Sequence, residues 1–252
     1  RVFSSCPNLK RVIFPDNMKI ISGSFLFIDC PLLSDVVFPE KLEAITGSSI
    51  LSGTGLESVT FPTSLKELGD STFASCASLK EVQLPEGLQI LGDESFRNCT
   101  LLQSIALPEE LESIGAGAFM DCSSLEEIHI SNGVKQIGDC CFLGCEMLSE
   151  VTLPESLESL GSYAFCETDI TELQIPASLA YFGNLPIGGK QTFYPTGVVW
   201  VYDTEHAYTL YFAGDMPEWE PNPIPNLPST CCYFPRENST WTENLRNLLD
   251  GL

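Results

Sequence analysis

Apolar residues recur along most of the chain in one fixed order, with a period close to 23 residues. One unit of this order contains Cys76, Leu79, Val82, Leu84, Pro85, Leu88, Leu91, Gly92 and Phe96. Within it, Val82 and Leu84 alternate with the polar Glu81 and Gln83. A period of two predicts a short strand with one buried face. The pattern therefore predicts a series of similar coils, each with one short strand.

Eight such coils fit residues 1 to about 189, and their starting points define the predicted register. They open at Cys6, Cys30, Gly53, Cys76, Cys99, Cys122, Cys145 and Glu167. A leucine-rich period of about 20–29 residues is the signature of a leucine-rich-repeat solenoid. Stacked coils pair their strands into a parallel sheet, about 4.8 Å per step. Because no coil can bury its own apolar edge, each depends on its neighbours.

Four further positions of the coil have a structural interpretation. A proline follows the strand in every coil except the one that has Ser131, and it ends the strand ladder because it lacks an N–H. A glycine such as Gly92 permits a bend that a Cβ would hinder. Phe96 fills the volume between coils, and Cys76 seals the corner as a small apolar side chain. Coils 3 and 8 depart from the pattern because they lack the corner cysteine.

The N-terminal residues continue the same pattern. Phe3 and Cys6 have the spacing of Phe96 and Cys99, so we expect residues 1–5 to be the tail of an earlier coil. Residues 1–6 have no signal-peptide pattern, and no run of 18 apolar residues occurs. We interpret the chain as the N-terminally truncated interior of a longer precursor.

Residues 190–252 are predicted to form a small mixed β/α capping segment. Strands are expected at 198–202, 208–212 and 231–234, and a short helix is expected after the capping box that begins at Thr240. Such a segment would cover the open sheet edge at the end of the solenoid. In the alternative interpretation, Trp200, Tyr202 and Trp219 are platforms on which sugars stack, although aromatic residues are more often buried.

The charge balance narrows the class of partner. The chain has 34 Asp and Glu against 12 Lys and Arg, and its net charge is −22. Nucleic acids and anionic lipid headgroups require a basic surface, so we expect neither as a partner. A basic partner or a cation would suit this charge, although an acidic surface often serves only solubility.

Residues that carry catalytic or metal chemistry are sparse, and we expect no enzymatic activity, no cofactor and no metal. The two histidines, His129 and His206, lie outside any zinc spacing, and the pairing of His206 with Asp203 is weak evidence for a triad. No nucleophile-elbow, dinucleotide or phosphate-loop motif occurs. Six of the 11 cysteines recur at the corner with the period of the repeat, which favours free buried thiols. Disulfides between adjacent coils are the alternative, because stacked corners are close enough to bond.

Strand alternation predicts an outward face made of two columns of side chains. Towards the N-terminus these side chains are expected to be apolar or small, and towards the C-terminus they become acidic. We predict a ligand-binding face at Glu81, Gln83, Glu127, His129, Glu150, Thr152, Glu172 and Gln174. Solenoids bind partners on such extended sheets, but a merely solvated sheet stays the alternative.

The order of Cys, Leu, Val, Leu-Pro, Leu, Ile-Gly and Phe resembles the BspA-like leucine-rich repeats of bacterial surface proteins, which are of the Treponema pallidum type. This resemblance covers residues 1 to about 189, and the segment 233–243 resembles the tail of many such proteins. It implies secretion or display at the bacterial cell surface, and adhesion for some members. We therefore predict a non-catalytic adhesion module that recognises a host or bacterial protein or glycoprotein. The alternative is a structural spacer of the cell envelope.

Overall fold

A computed structural model describes residues 3–183 and the strand segments 190–194, 197–201, 208–212, 218–219 and 230–233. Each coil between residues 11 and 182 contains two strands. The first strands are β1 (Arg11–Ile13), β3 (Asp35–Val37), β5 (Ser58–Thr60), β7 (Glu81–Gln83), β9 (Ser104–Ala106), β11 (Glu127–His129), β13 (Glu150–Thr152) and β15 (Glu172–Ile175). The second strands are β2 (Ile20–Ile21), β4 (Ala44–Ile45), β6 (Glu67–Leu68), β8 (Ile90–Leu91), β10 (Ser113–Ile114), β12 (Gln136–Ile137), β14 (Ser159–Leu160) and β16 (Tyr181–Phe182).

We call these two sets the first and second strand columns. The eight strands of the first column lie where the sequence predicts them and make about seven turns of solenoid from β1 to β15. In β7 the alternation is exposed, buried, exposed, as expected for a strand with one buried face. The second column, with two residues per coil, adds a strand to the single one predicted for each coil.

Neighbouring coils pair in parallel, as predicted, but the two columns differ in continuity. The second column forms one nine-stranded sheet that runs from β2 to β16 and ends on a later strand, β20 (Glu218–Trp219). The first column forms separate hydrogen-bonded groups, namely β1–β3, β5–β7, β9–β11–β13, and a group that begins with β15. Within the described residues no helix is long and apolar enough to cross a bilayer.

A stack of phenylalanine rings fills the centre of the solenoid, as the sequence predicts for Phe96 and its equivalents. Phe73, Phe96, Phe119, Phe142 and Phe165 are fully buried. Ring centroids of consecutive members lie 5.5, 5.7, 5.4 and 5.1 Å apart, and the rings are nearly parallel. The backbone amides of the first four donate to carbonyls of the next coil, as where Phe119 N donates to the Cys141 carbonyl over 2.8 Å. The stack therefore ties each coil to the next through both rings and backbone.

The repeated glycine allows close packing between coils, because a Cβ at this position would meet the backbone of the preceding coil. Neither Gly92 nor Gly115 has a positive φ. A Cβ on Gly92 would lie 2.7 Å from the carbonyl carbon of Gly69, and one on Gly115 would lie 2.5 Å from the amide nitrogen of Asp93. A side chain at this position would therefore push adjacent coils apart.

The corner cysteines are hydrogen-bond donors as well as small apolar side chains. Cys99 Sγ donates to the Phe73 carbonyl over 3.3 Å, and Cys122 Sγ donates to the Phe96 carbonyl over 3.1 Å. The nine cysteines of residues 3–183 are free thiols, and seven of them are buried. Burial raises the pKa of Cys122 to about 12, so its reactive thiolate is strongly disfavoured.

Two coils have threonine at the corner position. The predicted first residues of these coils, Gly53 and Glu167, were therefore wrong. The corner residues are Thr54 and Thr168, each one position later in the chain. Thr54 Oγ1 donates to the Leu51 carbonyl over 2.8 Å, and Thr168 Oγ1 donates to the Phe165 carbonyl over the same distance. The corner therefore takes a small side chain that can donate a hydrogen bond.

Strands beyond residue 189 continue both columns. A hairpin of β17 (Lys190–Tyr194) and β18 (Gly197–Val201) is followed by β19 (Tyr208–Phe212), β20, and β21 (Thr230–Tyr233). β19 pairs in parallel with β15, and β20 pairs with β16. The three predicted strands thus match β18, β19 and β21 to within one residue at each end. Tyr202 and the predicted helix after Thr240 lie outside the described residues, and the domain boundary at 189 stays a prediction.

Candidate functional site

The outward side chains of the first strand column form the candidate interaction face. All eight predicted residues are exposed: Glu81, Gln83, Glu127, His129, Glu150, Thr152, Glu172 and Gln174. The residue between each pair is turned inward, as Ile128 is between Glu127 and His129. Three-residue strands with one apolar centre therefore present two side chains per coil to a partner.

Four of the eight residues lie together on two paired strands. Glu127 faces Glu150, and His129 faces Thr152, in the parallel register of β11 and β13. With β9, these strands line an open depression of about 410 Å³. We call the set Glu127, His129, Glu150 and Thr152 the acidic quartet.

The other four predicted residues flank the acidic quartet without pairing to it. Glu81 and Gln83 lie on β7, which pairs with β5, and β9 separates them from the quartet. Glu172 and Gln174 lie on β15, which pairs with β19 instead of β13. The structure therefore divides the predicted face into one contiguous centre and two flanks.

Two small residues complete the depression and were not among the predicted site residues. Ser104 faces Glu127, and Ala106 faces His129, from the adjacent strand β9. Both are exposed, and both line the depression. The signal that would identify them is the drop in side-chain size at this point of the two outward columns, where the neighbours are glutamate, glutamine and histidine.

The acidic quartet places like charges on directly facing positions. Glu127 and Glu150 are register partners on adjacent parallel strands, which lie about 4.8 Å apart. Facing like charges destabilise a sheet by up to roughly 1 kcal/mol relative to neutral pairs. Within the described residues, no basic group forms an ion pair with Glu127, Glu150 or Glu172. Among the described residues, the negative charge of this region is therefore uncompensated by an ion pair.

The N-terminal coils show the opposite arrangement. Arg11 Nε lies 2.8 Å from Asp35 Oδ2 in the same outward column, and Lys19 Nζ lies 2.6 Å from Glu43 Oε1 in the next coil. From the sequence, only apolar or small side chains are expected in the N-terminal part of the face. This expectation is wrong, because Arg11 and Asp35 lie there as an ion pair. An ion pair lies beside Ile13, which is 62% exposed, and the exposed Val37. At this end of the face, a basic side chain of one coil therefore neutralises an acidic side chain of the next.

Other carboxylates of the solenoid are already engaged. Asp93 Oδ1 accepts a hydrogen bond from the Ala116 amide over 2.8 Å, and Asp139 Oδ1 accepts one from the Ser162 amide over 2.7 Å. Both line a groove of about 530 Å³ along the second strand column. These aspartates link successive coils, so the groove is explained by stacking.

A smaller polar depression of about 340 Å³ contains Arg97. Its guanidinium contacts Glu94 over 3.2 Å and Asp121 over 4.0 Å. Burial raises the pKa of the Asp121 carboxyl, and this effect outweighs the opposing effect of Arg97. Here one cation contacts both carboxylates, in contrast to the acidic quartet.

The chemistry of the acidic quartet is that of a hydrogen-bond acceptor surface. Two carboxylates, an imidazole and a hydroxyl on a rigid sheet can accept bonds from ammonium, guanidinium, amide and hydroxyl groups. In the described part of the chain, no cluster of three or more His, Cys, Asp or Glu side chains is arranged to hold a metal ion. The arrangement suits recognition of a cationic or donor-rich surface.

Comparison with sequence families identifies the repeat. Residues 1–80 and 66–186 match the profile described as the BspA type leucine rich repeat region, in six copies. No curated protein sequence matches the chain.

Solved structures of bacterial leucine-rich-repeat proteins are similar to the chain. A protein from Bacteroides ovatus has a TM-score of 0.59 at 20% identity, over 91% of this chain and 57% of its own length. One from Eubacterium ventriosum has a TM-score of 0.53 at 16% identity, over 92% of this chain and 68% of its own. The T. pallidum leucine rich repeat protein has a TM-score of 0.46 at 24% identity, over 65% of this chain and 68% of its own. The first two likenesses show the solenoid fold.

Proposed function

The chain belongs to the BspA-type leucine-rich-repeat family, and we propose that it is a non-catalytic binding module of a secreted or surface-displayed bacterial protein. Its partner is a protein or glycoprotein that presents basic or polar groups. The binding face is the acidic half of the first strand column, centred on the acidic quartet. Flanking contacts come from Glu81, Gln83, Glu172 and Gln174.

One observation carries this proposal: Glu127 faces Glu150 across paired strands, and neither has an ion-pair partner within the described residues. Within the described residues, four ion pairs join acidic and basic side chains of neighbouring coils, as between Lys80 and Glu57, which lie 3.2 Å apart. A partner with cations would relieve the repulsion within the quartet. Solubility alone does not require like charges at facing positions.

The charge of the face also determines how binding should respond to salt. Exposed charges are screened within about 8 Å at physiological ionic strength, so electrostatic attraction acts mainly during approach and at the rim of an interface. We expect association to slow as salt concentration rises. A partner that bound through apolar contacts alone would show little such dependence.

A charge-reversal experiment with a matched control tests the proposal. Arrays of purified extracellular proteins and of glycans are probed with the wild-type chain, the face variant Glu127→Lys/Glu150→Lys and the control variant Glu112→Lys/Glu158→Lys. Glu112 and Glu158 are exposed and lie directly before the second-column strands β10 and β14. Both variants change the net charge by the same amount, so net charge alone cannot account for a difference in binding between them.

We expect at least one ligand to bind the wild type and the control variant but not the face variant. All three proteins should show normal thermal melting. If ligands bind all three chains equally, the proposed site is wrong. If no ligand binds any of them, the spacer function replaces the binding function.

A further inference from the structure

The polar depression of about 340 Å³ around Arg97, here called the Arg97 depression, lies apart from the acidic quartet. It is built from the turns that lead from the second strand of one coil to the first strand of the next, and none of its lining residues belongs to the first strand column. The polar side chains that line it include Ser71, Ser75, Glu94, Arg97, Asn98 and Asp121. All six are exposed or half-buried, so a ligand from solution can reach them.

The gap between Arg97 and Asp121 has the size of one hydroxyl group. Arg97 Nε and Asp121 Oδ2 are 4.0 Å apart, which is beyond the range of a direct hydrogen bond. An oxygen that lies about 2.8 Å from both atoms has an angle of about 90° between its two hydrogen bonds. A hydroxyl group in this place can accept a bond from the Nε–H and donate one to the carboxylate. The geometry therefore favours a ligand group that is both donor and acceptor.

The charges around this gap disfavour ionic ligands. Glu94 Oε1 lies 3.2 Å from Arg97 Nη1, so two carboxylates surround one guanidinium. An anion would be repelled by both carboxylates, and a cation would be repelled by the guanidinium. A neutral ligand with hydroxyl groups avoids both costs. Sugars present several adjacent hydroxyl groups without a charge and therefore fit this arrangement.

The environment of Asp121 adds to the attraction for a hydroxyl donor. The side chain is half-buried, and burial raises the pKa of its carboxyl although Arg97 acts in the opposite direction. The ionised carboxylate is therefore short of solvation. A hydrogen bond donated by a ligand hydroxyl stabilises the charged form and offsets part of this cost.

Neighbouring side chains offer partners for further hydroxyl groups. Asn98 Nδ2 donates to Ser75 Oγ over 3.4 Å, which is long for a hydrogen bond, so a ligand can replace this contact at little cost. Ligand sites occupy about 300–1,000 Å³, so a depression of about 340 Å³ suits a mono- or disaccharide. We propose that the Arg97 depression is a second binding site, which takes a neutral sugar through a hydroxyl group that bridges Arg97 and Asp121.

A glycan array with neutral, sialylated and sulfated glycans tests this proposal on four chains. They are the wild type, the depression variant Arg97→Met/Asp121→Asn, the control variant Arg11→Met/Asp35→Asn and the face variant Glu127→Lys/Glu150→Lys. Glycans that bind are then titrated by calorimetry.

The depression variant and its control are closely matched. Met120 and Asn98 occupy the equivalent positions in adjacent coils, so the coil accommodates both substitutions in the depression variant. The control removes a comparable ion pair from the first strand column. Both double variants leave the net charge unchanged. Thermal melts check folding, and Asp121→Asn alone takes the place of the depression variant if the double substitution unfolds the chain.

We expect neutral glycans to bind the wild type, the control variant and the face variant with equal affinity. The depression variant should bind them at least about tenfold more weakly, because hydrogen bonds to two charged groups are lost. Binding of anionic glycans alone, equal affinity of both double variants, or no glycan binding by the wild type would overturn the proposal. Loss of glycan binding in the face variant instead would also overturn it and assign the glycan to the acidic quartet.

Discussion

Replacing Phe119 by alanine tests whether the phenylalanine stack holds the coils together. Phe119 is fully buried, with ring centroids of Phe96 at 5.7 Å and Phe142 at 5.4 Å. Its backbone amide is hydrogen-bonded to the next coil, which fixes the spacing of the backbone around the ring. The two neighbouring rings therefore cannot close the gap that the substitution leaves.

The magnitude follows from the size of that gap. Removing the ring leaves a void on the order of 100 Å³, which at about 24 cal/mol per Å³ costs about 2.4 kcal/mol. The lost transfer of the ring from water adds about 2 kcal/mol. We expect Phe119→Ala to lower the free energy of unfolding by about 3–5 kcal/mol, as is usual for a buried phenylalanine.

Urea denaturation of the wild type, Phe119→Ala and the control Phe38→Ala measures this difference. Phe38 is also stacked between two rings, those of Phe14 and Phe61, but it is only half-buried. Water can replace part of its ring, so the control should cost only about 1–2 kcal/mol. A cost below 1 kcal/mol for Phe119→Ala would show that the stack does not carry the stability assigned to it.

Three further substitutions or reactions test the corner and the coil contacts. The Cys99→Thr variant should be more stable than the isosteric Cys99→Val variant by about 1–2 kcal/mol in denaturant melts, because only threonine can donate a hydrogen bond. Equal stability of the two variants would show that the corner residue does not act as a donor. Gly115→Ala should destabilise the fold, whereas Gly87→Ala should be neutral or slightly stabilising in the same melts, because a Cβ on Gly87 meets only the Thr63 carbonyl oxygen, at 3.6 Å. A thiol probe at neutral pH should label the half-exposed Cys140 before the buried Cys122 in the native chain, and Cys122 should react after denaturation without reductant; a Cys122 that stays blocked would indicate a disulfide.

The first strand column could be predicted from the sequence because alternation encodes it directly. Glu81, Val82 and Gln83 give one full period of two, and the same pattern recurs in each coil. The second column gives no such signal. Its strands have two residues, such as Ile90 and Leu91, which are too few to show a period.

The corner position was misplaced in two coils because the predicted openings lie five residues before each strand. That count holds where Cys99 precedes Ser104 but fails where Thr54 precedes Ser58 by four residues. The threonine hydroxyl bonds to a carbonyl three residues earlier, so the chemistry of the corner is kept in a coil with one residue fewer between corner and strand. A count alone cannot detect this exchange.

For the candidate face, the sequence predicts exposure and the stacking of equivalent positions, but not where the strand pairing is interrupted. Alternation turns Glu127 and Glu172 outward alike, and both are exposed. The repeat pattern recurs in every coil, yet the first column divides into separate hydrogen-bonded groups. The pairing of Glu127 with Glu150 follows from the stacking of equivalent positions that the repeat predicts, whereas the separation of both from β7 and β15 emerges only from the structure.

Site-specific photo-crosslinking tests the location of the binding face most directly. A photoreactive phenylalanine analogue replaces Thr152 on β13 in one protein and Gln136 on the second-column strand β12 in another; both residues are exposed. Each protein is irradiated with the array ligand that the wild type binds. The account predicts a covalent product from position 152 and none from position 136. A product from position 136 alone, or equal products from both, would contradict the assignment of binding to the acidic quartet.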